Sequence, residues 1–336
     1  MQALVWQGGQ NFKLEEVPRP KVESGRILVR VKAAAVCGSD FHMDDFGAKP
    51  PLILGHEVSG DVAEVGPGVT GFQPGDRVAL NPVQYCGACW CCTHGIQNLC
   101  LNYRHLGDAA IPGGWAEYVA VDARNAHPIP AGTDYDAAAL IEPFSVCYES
   151  FDRAGFQSGQ TVLVIGDGPF GFLHAQIARA RGASQLIVTG HYDQRLERIR
   201  KATGAVTCNT HRQDASKLVR QEIGTPGVDL VIEATGAGPS PQLGLELLRP
   251  RGTMVIFSYI WKPEPLTMGL IHMRELNLLG ACRGLNGYRA GLQLMEQKKI
   301  DTGLLVDLRV SLADYRQAID TLRERKSEVF KAVFLP

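Results

Sequence analysis

The stretch Thr161-Val162-Leu163-Val164-Ile165-Gly166-Asp167-Gly168-Pro169-Phe170-Gly171 decides the fold class of this chain. Five β-branched or leucine residues in a row have the length of a buried strand, and helical spacing follows from Phe172 to Ala180. Between them stands G-x-G-x-x-G in the strand–turn–helix context that gives the motif meaning. Gly166 permits the tight turn, Gly168 lets the backbone approach a pyrophosphate, and Gly171 lets the helix pack closely on the strand. With Pro169 and Phe170 these residues open a helix whose free N–H groups suit an anion. The reading is a dinucleotide-binding loop.

The pattern continues downstream. Leu186-Ile187-Val188-Thr189, Leu230-Val231-Ile232 and Met254-Val255-Ile256-Phe257 are further apolar runs of strand length. Helical spacing covers Arg195 to Thr203 and Gln242 to Leu248, with later helices expected at Tyr288 to Lys298 and Leu312 to Arg323. Alternating strands and helices with apolar strands predict an α/β, doubly wound parallel sheet. Upstream, Ile27 to Ala33, Val58 to Val65 and Arg77 to Leu80 are short strands broken by Gly66-Pro67-Gly68 and Pro74-Gly75-Asp76, which predicts a barrel-like β domain. A closing strand at Phe330 to Leu335 is expected to return to it.

An acidic residue is expected roughly 20 residues beyond the glycine loop, to bind the ribose 2′-hydroxyl. Thr189-Gly190-His191-Tyr192 stands there instead, and Asp193 reads as a cap for the next helix. Without that acid a 2′-phosphate meets no repulsion, and His191 and Arg195 offer positive charge. The reading leans to NADP over NAD. Thr235-Gly236 and Ser258-Tyr259 end two later strands, where cofactor contacts gather.

Of nine cysteines, five (Cys86, Cys89, Cys91, Cys92 and Cys100) fall within one short loop. Cys86-x2-Cys89-x2-Cys92-x7-Cys100 suits a closed, tetrahedral structural zinc site, with Cys91 surplus and His94 a weaker alternative. Such crowding in a chain of 336 residues whose start lacks a basic segment and apolar core points to a reducing, cytoplasmic setting. Lys and Arg total 34 and Asp and Glu 35, a net charge of −1, and the densest basic run, Arg195 to Lys201, reads as a solvated helix face. Nucleic acid is therefore excluded as the main partner. No apolar run reaches the ~18–20 residues of a membrane helix, so no membrane partner is expected.

Gly55-His56-Glu57-x2-Gly60-x5-Gly66-x2-Val69 matches the zinc signature of the zinc-dependent medium-chain dehydrogenase/reductase family, and Cys37-Gly38-Ser39-Asp40-x-His42 resembles the segment carrying its first catalytic ligand. Glu142-Pro143 resembles the segment that in the sorbitol (polyol) dehydrogenase-like branch supplies a glutamate. The chain resembles that branch throughout its length. The resemblance implies a GroES-like catalytic domain over 1–145, completed by 285–336, and a Rossmann NAD(P)-binding domain over 146–284, with ligands between them. It implies two zinc ions per chain. Cys37 and His56 hold the catalytic one with Glu57 or Glu142, the choice between these left open. Ser39 and His42 take the family's proton-relay positions, Glu142 being an alternative. Arg283 and Val146 fall near the cofactor, and Phe46 and Trp115 shape the pocket. The implied activity is oxidation of a secondary hydroxyl of a small polyol or sugar-like molecule by hydride transfer to NAD(P), in a homodimer or homotetramer. Threonine, butanediol and simple alcohol dehydrogenases are rival readings, as are zinc-free quinone reductases of the same superfamily and a non-catalytic structural relative.

Overall fold

The computed structural model describes residues 1–224, 226–260, 262–324 and 328–336. The chain divides into two compact units. One is Met1–Pro143 together with Tyr288–Pro336, and the other is Phe144–Gly287.

The first unit is built on a seven-stranded, mostly antiparallel sheet. Its longest strand, Arg26–Ala35, pairs with Glu57–Val65, with Tyr118–Asp122 and, at its end, with Lys331–Phe334. Alternate residues Ile27, Val29 and Val31 join Leu54, Val58, Val78, Leu80 and Phe334 in one apolar core. Trp115 lies in that core, fully buried, its ring centroid 5.7 Å from Phe12 and 5.2 Å from Phe334. It packs in that core, whereas Phe46 is exposed.

Register brings distant residues to one end of this sheet. Ala35 pairs with Glu57 on one side and with Val333 on the other. Two residues beyond Ala35 the chain reaches Cys37, while His56 immediately precedes the neighbouring strand. Lys331 begins the third.

The second unit is a six-stranded parallel sheet. Its spatial order is Val206–Asn209, Gln185–Gly190, Thr161–Ile165, Val228–Glu233, Leu248–Ile256 and Asn277–Gly280, the 3-2-1-4-5-6 order of a dinucleotide-binding sheet. Two strands, Val206–Asn209 and Asn277–Gly280, escaped the sequence reading because they are short and only partly buried. The helix Pro169–Ala180 starts with Gly168 as its cap and proline at its first position. The helix Asp193–Thr203 is capped by Tyr192. Asp193 is thus its first residue and not its cap; its carboxylate takes a hydrogen bond from Asn209 at 2.6 Å and pairs with Arg212.

His174 is fully buried in the helix Pro169–Ala180. Its Nδ1 lies 2.7 Å from the Phe170 carbonyl, which can only accept, so Nδ1 carries the proton and Nε2 accepts from Ser150 Oγ at 3.1 Å. Burial lowers its pKa to about 3. The unfolded chain, titrating near 6.5, then takes up the proton first as pH falls, so stability is lost progressively below 6.5. At about 1.4 kcal/mol per pH unit, some 2 kcal/mol is lost at pH 5. Urea unfolding at pH 7 and pH 5 checks this: His174→Gln is expected to show a smaller pH dependence than the parent by about that amount. Equal dependence in both proteins would assign the acid lability elsewhere.

Candidate metal centres and dinucleotide loop

Cys37, His56 and Glu57 bring one possible ligand atom each to within 4.8 Å of one another. Cys37 and Glu57 are buried and His56 half-buried. Glu142 stands outside this trio, buried on the first turn of the helix Ile141–Arg153, close enough to feel the charges of His56 and Glu57. Of the two glutamates left open by the sequence, the geometry gathers Glu57 with the cysteine and histidine. Burial, above all, pushes the Glu142 carboxyl up to about 7, against the opposing pull of His56.

The two carboxylate oxygens of Glu57 differ. Oε1 accepts a hydrogen bond from the buried Lys331 ammonium, which also donates to the Val36 carbonyl at 3.1 Å. Oε2 is buried and has no hydrogen-bond partner among the described residues. An unsatisfied buried carboxylate oxygen costs free energy unless a cation meets it. Glu57, Cys37 and Glu142 act on a single lysine, and Asp40 adds a further carboxylate beside His56, so the cluster as a whole suits a divalent ion. Lys331 feels burial first, which disfavours its charge, but Glu57, Cys37 and Glu142 outweigh it and raise its pKa.

Asp40 completes the cluster. Its Oδ2 accepts from Cys37 N at 2.8 Å, and its Oδ1 lies 3.5 Å from His56 Nδ1. That arrangement orients the imidazole and leaves Nε2 for a metal, as carboxylates behind metal-binding histidines do. Ser39 is half-buried, and no hydrogen bond joins it to His42 among the described residues. His42 is exposed and pairs with Asp45 at 2.9 Å. Asp40 and Lys331 are the functional residues that sequence reasoning missed. Asp40 sits three residues after Cys37 in the quoted motif. Lys331 left one signal, a lone charge at the start of an apolar strand.

The loop cysteines form a second cluster of Cys86, Cys89, Cys92 and Cys100. Sγ–Sγ separations are 3.9 Å for Cys86–Cys92, 3.5 Å for Cys89–Cys92, 3.7 Å for Cys89–Cys100 and 3.5 Å for Cys86–Cys100. Bonds of about 2.3 Å to one zinc would set tetrahedral sulfurs about 3.8 Å apart. Backbone N–H groups of Ala88 and Cys89 pull the Cys86 thiol down to about 6, while burial pushes Cys92 up to about 12. Four thiols so close can all ionise only around a cation. Cys91 is left out of the tetrad, and His94 stacks on Trp90 with Nδ1 2.7 Å from the Trp90 carbonyl.

In the second unit, Gly166 has a φ of +132°, and a Cβ on Gly171 would lie 2.0 Å from the Gly166 carbonyl oxygen. Gly168 is different: nothing lies within 4 Å of where its Cβ would be. The protein itself leaves that space, as a pyrophosphate cradle requires. Thr235 spends its hydroxyl inside the protein, donating to Glu233 Oε1 at 2.6 Å and accepting from Ala237 N at 2.9 Å. Ser258 is half-buried after the strand Leu248–Ile256, and Arg283 has a positive φ of 55°. His191 packs against His211 at 4.3 Å, and Arg195 lies over the Tyr192 ring at 5.0 Å.

The strand end at Gly190 corrects one expectation. A carboxylate does stand there, supplied by Asp167 from inside the glycine loop. Its Oδ2 accepts from His191 N and Tyr192 N, each at 2.7 Å. The absence of an acid, which favoured NADP, holds for position 190 but not for the space around it.

The fold and the donor sets define a zinc-binding dehydrogenase. Residues 23–131 match the model of the alcohol dehydrogenase GroES-like domain, and residues 169–297 that of the zinc-binding dehydrogenase. The chain is 32% identical to the sorbitol dehydrogenase of Bacillus subtilis (strain 168), an alignment covering 100% of this chain and 97% of that one. A zinc-binding dehydrogenase of Sinorhizobium meliloti 1021 bound to NADP superposes with a TM-score of 0.93 at 29% identity, covering 100% of this chain and 99% of its own. A short chain alcohol dehydrogenase of Escherichia coli CFT073 complexed with NADH gives 0.93 at 27%, with the same coverage. The chain belongs to the zinc-dependent medium-chain dehydrogenase family, and it is an oxidoreductase. Among the described residues no helix is long and apolar enough to cross a membrane.

Proposed function

We propose that the chain oxidises a secondary hydroxyl of a polyol or sugar-like substrate and passes the hydride to a nicotinamide dinucleotide. One observation carries the reading: the buried, unpartnered Oε2 of Glu57 beside Cys37 and His56. A thiol, an imidazole and a carboxylate form a harder donor set than two thiols and an imidazole, and it favours oxygen at an open position. The sorbitol dehydrogenase relative supports the substrate class.

Cys37, His56 and Glu57 would hold a catalytic zinc, and the four loop cysteines a structural one. Bound there, such an ion would supply Lewis-acid chemistry towards a substrate hydroxyl. Asp40 keeps His56 in one orientation. Lys331 holds Oε1 of Glu57 and so leaves Oε2 for the metal. Glu142, buried beside them, is the carboxyl that takes the substrate proton at its Oε atoms. The loop from Gly166 to Gly171 binds the pyrophosphate through backbone N–H groups.

A panel of polyols, sugars, sugar acids and hydroxy amino acids, each with NAD and NADP and read by absorbance of the reduced cofactor, tests this. Polyols are expected to exceed ethanol at least tenfold in kcat/KM, with turnover abolished by a chelator and restored by zinc. A best substrate such as threonine would move the chain to a rival dehydrogenase reading. Full activity without metal would overturn the proposal in favour of a zinc-free reductase.

A further inference from the structure

Gly190 ends the strand Gln185–Gly190, where dinucleotide-binding sheets ordinarily carry the acid that reads the adenosine ribose. The structure shows why no side chain can stand there. A Cβ on Gly190 would lie 2.3 Å from Cβ, Cγ and Oδ2 of Asp167, whose side chain already fills that volume. Asp167 is buried, with its Oδ2 held by the two backbone N–H groups of His191 and Tyr192. Its Oδ1 has no protein partner among the described residues. One strand end therefore has a glycine in the place of the acid and an acid, from the glycine loop, in the place of a side chain.

We propose that Asp167 is the residue that selects the cofactor, favouring NAD over NADP. The inference rests on the dehydrogenase reading and extends it. Three effects act in the same direction. The free Oδ1 is an acceptor suited to a ribose hydroxyl, which is a donor. The carboxylate's charge opposes a 2′-phosphate, and Coulomb repulsion in a partly buried loop is weakly screened. The N–H groups of His191 and Tyr192, which would otherwise bind a phosphate, are already taken by Oδ2. Rejection of one ligand by an unfavourable charge is a standard route to specificity. The basic side chains nearby are already packed, His191 against His211 at 4.3 Å and Arg195 over the Tyr192 ring at 5.0 Å.

Binding and not turnover is the suitable measurement. Dissociation constants of NADH and NADPH are read by nicotinamide fluorescence, and those of AMP and adenosine 2′-monophosphate by calorimetry, on the full chain. The parent is expected to bind NADH at least tenfold more tightly than NADPH, with the same order for the two nucleotides. Asp167→Ala and Asp167→Asn are expected to narrow that ratio at least tenfold. Gly190→Asp added to Asp167→Ala, with the clash removed, is expected to restore most of it. Equal or tighter binding of NADPH by the parent, or an unchanged ratio in folded Asp167 variants, would overturn the assignment. Should the parent bind neither dinucleotide, the dehydrogenase reading falls with it; tight binding of NADPH alone sinks only the role of Asp167.

Discussion

Cys100→Ser is expected to cost the chain the metal of its four-thiol lobe and to loosen the loop between Tyr85 and Arg104, while the Phe144–Gly287 unit stays folded. The reason lies in what that loop buries. From Cys86 to Tyr103 the buried residues are Cys91, Cys92, Asn98 and Cys100, with no aliphatic or aromatic side chain among them. Trp90 and Leu101 are 62% and 70% exposed. The loop has almost no core of its own, and in the proposed reading metal–thiolate bonds replace one. Structural zinc contributes on the order of 10 kcal/mol of apparent folding free energy in small zinc-binding peptides. Losing only about 3 kcal/mol of that would lower the Tm by roughly 6–12 °C in a unit of this size. Metal analysis, limited proteolysis and thermal unfolding of Cys100→Ser beside Cys91→Ser decide the matter. Cys91→Ser is expected to keep its metal. If Cys100→Ser retained the parental metal content and Tm, the tetrad would have no structural role.

The largest expected effect on turnover is that of Cys37→Ser. An alcohol oxygen is a poorer zinc ligand than a thiolate and carries no charge at neutral pH. Lewis-acid stabilisation is worth several kcal/mol, and losing about 4 kcal/mol is roughly a 10³-fold fall in kcat/KM. Asp40→Ala, which removes the group orienting His56, is expected to lose about 10- to 100-fold, the usual cost of a second-shell partner. The two are measured together with metal content and with NADH binding, which should be unchanged because the dinucleotide loop belongs to the other unit. A Cys37→Ser protein with parental turnover would show that the cluster does not carry the chemistry.

The parallel sheet was legible because each of its main strands is an unbroken apolar run beside a glycine loop. The cysteine loop was legible because four thiols at fixed spacing have few other uses. The cluster around Cys37 was only half legible. Cys37, His56 and Glu57 lie in motifs, but their partner Lys331 lies 274 residues from Glu57, and only strand register brings it there. Gly190 shows a different limit. The expected position lacked an acid, and no reading along the chain could show that a side chain from Asp167, 23 residues earlier, filled the same space. Sequence spacing reports which residues share a segment, whereas a substitution in space between two segments is visible only once both are folded.

The pairing of Lys331–Phe334 with Ala34 and Ala35 also sets an order of assembly during synthesis. The segment carrying Cys37, His56 and Glu57 leaves the ribosome early, and the intervening parallel sheet can complete itself next from contacts nearby in the chain. The ammonium that balances Glu57 arrives only with the final strand. Until then the nascent chain presents the Glu57 carboxylate without the ammonium that pairs with it. The strand Lys331–Phe334 thus brings the Glu57 carboxylate its ammonium only after the segments between them have been made.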